Sequence, residues 1–195
     1  MTITVLFVQG AGEGTHDQWD NKLVDSLERE LGRDYSVRYP RMPDEADPRY
    51  VAWKPALLDQ FKSLDDGAIL VGHSVGGTML LHALAEERPT LNASAIILLA
   101  TPFIGDGGWP SDEIQPRNDL APRLPSVPIY LFHGTDDETV PFEHVKLYAN
   151  AIPQAVVRTL ANRDHQLGND LSDVARDIRS LARHARPEGA ADSRG

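Results

Sequence analysis

The chain of 195 residues contains no cysteine. Disulfides, thiolate-bound zinc, iron–sulfur clusters and every cysteine nucleophile are therefore excluded. The redox compartment stays open, since a chain without thiols survives in either. Basic residues are in deficit: 19 Lys and Arg stand against 29 Asp and Glu, a formal net charge of −10. Nucleic-acid binders carry a basic footprint, so this balance argues against a phosphate-backbone partner. Long apolar runs are missing too. None approaches the roughly 20 residues of a membrane-spanning helix, and the N-terminus lacks the basic start of a secretory signal. The expectation is a soluble, cytoplasmic protein with neither a membrane nor a nucleic-acid partner. At roughly 100–200 residues per domain the length fits one domain. It is placed at residues 1–186, with the small, polar tail 187–195 expected to be disordered.

What the chain does contain is an alternation of short apolar runs with helical periods. Ile3–Val8 reads as a strand that ends in the glycine-spaced turn Gln9-Gly10-Ala11-Gly12. Trp19, Leu23, Leu27 and Leu31 then recur at i+4 steps, with Val24 beside them, and predict a helix. Thr15 and Gln18 have capping-box spacing at its start, and Gly32 is a natural stop. Residues 35–39 form a second strand candidate. Asp47-Pro48 reads as the N-cap and first-turn proline of a helix that buries Tyr50, Trp53, Leu57, Phe61 and Leu64. Pro55 should kink that helix or force it to restart. Residues 68–71 are apolar throughout and residues 93–100 are apolar but for Ser94, as strands buried on both faces of a parallel sheet are. Residues 129–132 and 155–160 bring the set to about six strands, with helices expected over 75–88, 142–151 and from Leu171 onward. The last helix places Leu171, Val174, Ile178, Leu181 and Ala182 on one stripe. This alternation predicts a doubly wound α/β fold with a mostly parallel sheet. Residues 101–128, rich in Pro, Gly and Asp, are the one long irregular connection.

Gly72-His73-Ser74-Val75-Gly76-Gly77 sits between a buried strand and a helix. A G-x-S-x-G pentapeptide at such a junction is a nucleophile elbow. The sharp turn strains the serine backbone, and the flanking glycines avoid clashes with strand and helix. A serine nucleophile needs a base, and the base needs an orienting acid; after an elbow the chain order is acid, then histidine. Of seven histidines, only His144, His165 and His184 follow the candidate acids. His184 falls in the last turn of the terminal helix, where a cation has a structural explanation, and His144 lies too close to the acid. His165, in Asn162-Arg163-Asp164-His165-Gln166, occupies a loop after a strand, where this architecture places its ligands. His133-Gly134-Thr135-Asp136-Asp137-Glu138-Thr139-Val140-Pro141 supplies the acid: Asp137 is the choice and Asp136 the rival. Asp164 is disfavoured, because adjacent side chains point apart. His73, His82 and His133 read as structural.

With these segments in place the chain resembles the α/β-hydrolase superfamily. Within it, the chain is similar to the short serine hydrolases related to retinoblastoma-binding protein nine. The resemblance runs from Val5 to about Leu181. It is carried by the 9–12 turn, Trp19, residues 72–77, residues 133–141 and Asp164-His165. It implies a minimal α/β-hydrolase fold with no large lid domain. In the superfamily pattern H-G-x-x-D-x-x-V-P the acid falls on Asp137. The resemblance also implies an oxyanion hole made by the backbone N–H groups of Val75 and Ala11, although many relatives carry His-Gly where this chain has Gln9-Gly10. The implied reaction is acyl transfer from a small ester or thioester to water, with Ser74 as nucleophile, His165 as base and Asp137 as the orienting acid. No metal or organic cofactor is implied. Serine at the elbow separates the chain from dehalogenases and epoxide hydrolases, whose relatives carry aspartate there. Phe103, Ile104 and Trp109 are candidates for an apolar wall over Ser74. A hydrolase-like binding module with little activity, and an acyltransferase using the same residues, are the alternative readings.

Overall fold

The structure is a computed structural model that describes residues 2–184 apart from residue 118. The expected tail at 187–195 and the end of the 1–186 domain lie outside the described residues. Six strands, β1 (Ile3–Val8), β2 (Tyr35–Arg38), β3 (Ile69–His73), β4 (Ala95–Leu99), β5 (Ile129–Gly134) and β6 (Val156–Leu160), form one sheet. Its order is β2-β1-β3-β4-β5-β6 and every pairing is parallel. Five α-helices join them: α1 (Asp20–Leu31), α2 (Tyr50–Lys62), α3 (Ser74–Glu87), α4 (Glu143–Ala151) and α5 (Ser172–His184).

The apolar runs follow from burial on both faces. Side chains alternate along a strand. Val5 and Phe7 of β1, Ile69 and Val71 of β3, and Ile97 of β4 enter the core beneath α1 and α5, against Leu23, Leu27, Val174 and Ile178. Leu6, Val8, Leu70, Ile96 and Leu98 enter the opposite core with Trp53, Leu57, Leu80 and Tyr148 of α2, α3 and α4. A strand in this position has no polar face to offer. Ile97 is fully buried, and its truncation to alanine is expected to remove about 2–5 kcal/mol of stability. No helix among the described residues is long and apolar enough to cross a membrane.

Three local expectations differ from the structure. The chain enters α1 through a π-type turn, Thr15–Trp19, preceded by Gly14 at φ 75° with no side-chain cap. The wider winding of that turn displaces Trp19 from the Leu23–Leu27–Leu31 stripe, and it lies 50% exposed. Thr15 is buried instead of capping. The second helix starts at Tyr50, with extended Arg49 as its N-cap, two residues after the Asp47-Pro48 signal. Pro55 lies inside that helix without interrupting it. Its missing N–H orphans the carbonyl of Val51, and Val51 is 73% exposed, so water can take that carbonyl's hydrogen bond.

The long connection between β4 and β5 is a packed cover. It holds one bridge, Ile104 to Trp109, and one 3-10 turn, Ala121–Arg123. It buries Ile114, Leu120 and Leu124 in the α2–α3–α4 core.

Candidate active site

In an open parallel sheet, the segments leaving the carboxyl ends of the strands converge on one edge. Here those segments carry Gln9-Gly10-Ala11-Gly12 after β1, Ser74 after β3, Asp137 after β5 and His165 after β6. Ser74 has φ 50°, a left-handed conformation that a residue with a Cβ adopts at a cost of about 1–3 kcal/mol. The glycines around it are required by space. A β-carbon at Gly72 would lie 2.5 Å from the Gly77 Cα, and one at Gly76 would lie 1.9 Å from the Gln9 carbonyl oxygen. The strain turns the serine out of the sheet, and the close approach of Gly76 seats the first turn of α3 against the loop after β1.

Ser74, His165 and Asp137 form a continuous hydrogen-bonded chain. His165 Nε2 lies 3.0 Å from Ser74 Oγ, and His165 Nδ1 lies 2.9 Å from Asp137 Oδ2. An ionised carboxylate only accepts. His165 therefore carries its proton on Nδ1 and presents the Nε2 lone pair to the Ser74 hydroxyl. The other Asp137 oxygen accepts the N–H groups of Thr139 at 2.9 Å and Val140 at 2.8 Å. Burial works to raise the Asp137 pKa, but hydrogen bonds from His133, His165 and the Val140 N–H hold it well below the usual carboxylate range. His133 donates from Nε2 to the Val140 carbonyl at 2.8 Å and lies 3.4 Å from Asp137 Oδ2. The turn presenting the acid is thus fastened to its own strand. Asp136 accepts from its neighbour Thr135 and is exposed, so of the two rivals Asp137 is the one that meets the histidine. His144 is spent elsewhere, accepting the Phe103 N–H on Nδ1 at 2.9 Å.

The loop after β1 is held by groups with no sequence motif. Glu45, from the connection between β2 and α2, accepts the N–H groups of Gly14 and His16 and the Gln9 amide, while its own carbonyl accepts the Gly12 N–H at 2.6 Å. Asp20, the first residue of α1, accepts the Gly10 N–H at 2.7 Å and the ring of His73 at 2.9 Å. Between these ties, the Ala11 N–H has no protein acceptor among the described residues. Val75 occupies the first turn of α3, where backbone N–H groups have no intrahelical partner and the helix dipole favours negative charge. Neither Asp20 nor Glu45 carries a local signal, because each acts on residues far away in sequence.

Phe103 and Trp109 pack edge-on against Tyr148 and His144. Phe103 and Ile104 line a cavity of about 440 Å³ with Pro116, Arg117 and Leu147; Ser74 is not among its lining residues. Val75, beside Ser74, packs on the same core cluster as Phe103, Ile104 and Trp109. Among the described residues, no group of three or more His, Asp or Glu side chains is disposed to hold a metal ion.

A family model described as an alpha/beta hydrolase family matches residues 5–186. The chain is similar to several solved structures. Est1E from Butyrivibrio proteoclasticus is 17% identical, with 94% of this chain and 88% of that one covered at a TM-score of 0.70. A meta-cleavage product hydrolase from Pseudomonas fluorescens is 14% identical, with 94% and 92% covered at 0.72. An α/β serine hydrolase without lid from Xanthomonas campestris is 18% identical, with 96% and 84% covered at 0.64. At these identities the likeness is one of fold. No curated protein matches the sequence.

Proposed function

Since the chain belongs to the α/β-hydrolase family, we propose that it is a cytoplasmic serine hydrolase that cleaves small carboxylic esters or thioesters through an acyl-enzyme on Ser74. The observation that carries this reading is the hydrogen-bonded chain from Ser74 through His165 to Asp137. The likeness to the short serine hydrolases related to retinoblastoma-binding protein nine belongs to the same proposal.

In the proposed reaction Ser74 Oγ attacks the substrate carbonyl carbon while His165 Nε2 takes the hydroxyl proton. The carbonyl oxygen becomes an oxyanion, held by the N–H groups of Val75 and Ala11. Removing one such donor typically lowers kcat about 100–1,000-fold. The intermediate collapses and expels an alcohol or thiol, which leaves with the proton from His165. Water then attacks the acyl-enzyme with His165 as base again, releasing the acid and regenerating Ser74. Asp137 stays ionised throughout, fixing the tautomer of His165 and offsetting its charge. Phe103, Ile104 and Trp109, together with Val75, are the proposed contacts for the apolar part of the substrate.

A fluorophosphonate probe tests the reading directly, because it phosphonylates an activated serine. Wild type is expected to label and to hydrolyse p-nitrophenyl esters, whereas Ser74→Ala and His165→Ala should do neither. A folded wild type that refuses the probe would overturn the proposal. The dependence of kcat/KM on acyl length in the ester series then defines the substrate.

A further inference from the structure

Asp20 and His73 form a second carboxylate–imidazole pair at the site, deeper than the first. Both are buried, at 0% and 1% exposure. Asp20 Oδ2 accepts two donors, the Gly10 N–H at 2.7 Å and His73 Nδ1 at 2.9 Å. On its far side, His73 Nε2 lies 3.1 Å from the backbone carbonyl of His165. Gln166 Nε2 reaches Asp20 Oδ1 at 3.3 Å. A carbonyl oxygen only accepts, so His73 Nε2 bears a proton. The carboxylate only accepts as well, so Nδ1 bears another. His73 is therefore an imidazolium facing a carboxylate. Burial disfavours that cation, but the charge and hydrogen bond of Asp20 raise its pKa above the ordinary histidine value. Burial likewise works against the Asp20 carboxylate, and His73 with the Gly10 N–H holds its pKa down.

A buried ion pair is weak evidence of stability, since desolvation offsets most of the attraction. What this pair does supply is direction. One carboxylate oxygen fixes the loop that carries Ala11, and the imidazolium next to Ser74 fixes the backbone of the base. We propose that Asp20 and His73 are positioning residues that lock the oxyanion loop, the nucleophile elbow and the base loop into one rigid unit. This inference rests on the acyl-transfer reading of the same site. The pair has a second consequence. The rings of His73 and His165 are 5.0 Å apart, and His165 must become a cation during acylation. Because Asp20 neutralises His73, the base gains its proton beside a pair of no net charge.

Asp20→Asn tests this role. Gly10 and His73 both direct N–H groups at one atom; an amide oxygen there accepts both but supplies no charge, and turns its NH₂ toward the Gln166 donor. In that orientation both hydrogen bonds survive and the buried His73 cation is left without a counter-charge. Alternatively the NH₂ can face a neutral His73 Nδ1, leaving it donor-to-donor with Gly10. His73→Gln severs one tie in a different way, since a single amide nitrogen cannot reach both Asp20 and the His165 carbonyl. Both variants are expected to lower kcat by about tenfold or more with KM within about twofold of wild type. In ¹⁵N-histidine spectra the His165 Nδ1 proton, which reports the bond to Asp137, is expected to broaden or vanish in both. Unchanged kcat together with an unchanged His165 resonance overturns the proposal. So does failure of both variants to fold, which assigns the pair to the fold alone. A wild type that neither labels nor turns over refutes the hydrolase reading instead, and the resonance then decides the positioning role separately.

Discussion

Substituting alanine for Gly76 puts the seating of the proposed oxyanion loop to a quantitative test. The added methyl would stand 1.9 Å from the Gln9 carbonyl oxygen and 3.0 Å from that of Val8. Backbone atoms occupy both positions, so no side chain can swing aside. Contacts of a Cβ below 3.0 Å are essentially never seen, so the loop after β1 and the first turn of α3 must separate by about 1 Å or more. Ala11, on that loop, then moves away from Val75, on that turn. A misplacement of about 1 Å can lower a rate roughly 100-fold, equivalent to about 2.7 kcal/mol of transition-state stabilisation. The loss belongs to the transition state, because only the tetrahedral oxyanion needs both donors at hydrogen-bond distance. Steady-state kinetics on a p-nitrophenyl ester should therefore show kcat down about 100-fold with KM little changed. Fluorophosphonate labelling should slow in parallel, and a cooperative melt controls for folding. A folded Gly76→Ala protein within about threefold of wild-type kcat would refute the link between this contact and the oxyanion donors.

Asp137→Asn has a stereochemical consequence. The N–H groups of Thr139 and Val140 require an acceptor at Oδ1, so the amide NH₂ must face His165. His165 then carries its proton on Nε2, pointed at Ser74, and kcat is expected to fall about 1,000- to 10,000-fold in the same ester assay. The same carboxylate links folding to acid. Because its folded pKa is lowered, as is that of Asp20, its contribution is complete above the ordinary aspartate value of 3.8 and is lost as pH falls below it. Urea melts from pH 6 to pH 3 should show wild type losing stability more steeply than Asp137→Asn below about pH 4. His82 acts at milder pH. Burial pushes its pKa from 6.5 down to about 4, with Glu86 opposing and Arg117 reinforcing, and its Nδ1 has no hydrogen-bond partner. The unfolded chain binds this proton below pH 6.5 while the folded one does not. His82→Leu should therefore gain about 2 kcal/mol on wild type between pH 7 and pH 5; parallel stability profiles would refute this.

The central strands are legible in the sequence because burial on both faces leaves their apolar runs no polar position, whereas the edge strands β2 and β6 are exposed or half-buried and carry Ser36, Arg38, Arg158 and Thr159. Residues 95–99, all apolar, can be little else. The elbow is legible because its glycines answer to contacts within a few residues of Ser74, and because the order of acid and histidine follows from the order of strands. Trp19 obeys the helical period and still lies half exposed, since a π-type turn breaks the period one residue before α1 begins. Pro55 sits inside a helix because solvent lies over the carbonyl it orphans, which no local pattern reveals. Asp20 and Glu45 are less legible still. Asp20 resembles any acidic residue at a helix start, and its partner His73 lies 53 positions away. Glu45 sits in an acidic, proline-punctuated connection beside its ion-pair partner Arg41 and makes its bonds to the loop after β1, 29 to 36 positions upstream. Such ties become visible only when the sheet brings its strand ends together.

On the proposed mechanism, the sheet order also sets when the protein becomes chemically competent. Ser74 and His165 are 91 positions apart, and the histidine follows β6, an edge strand held in the sheet by β5 alone. A chain made from its N-terminus has its strained serine available well before its base. Contacts of such sequence separation form late, after the closure entropy of the intervening chain has been met. If the proposed ester hydrolysis holds, it should therefore return last in refolding, after the burial of Trp53 that accompanies docking of α2.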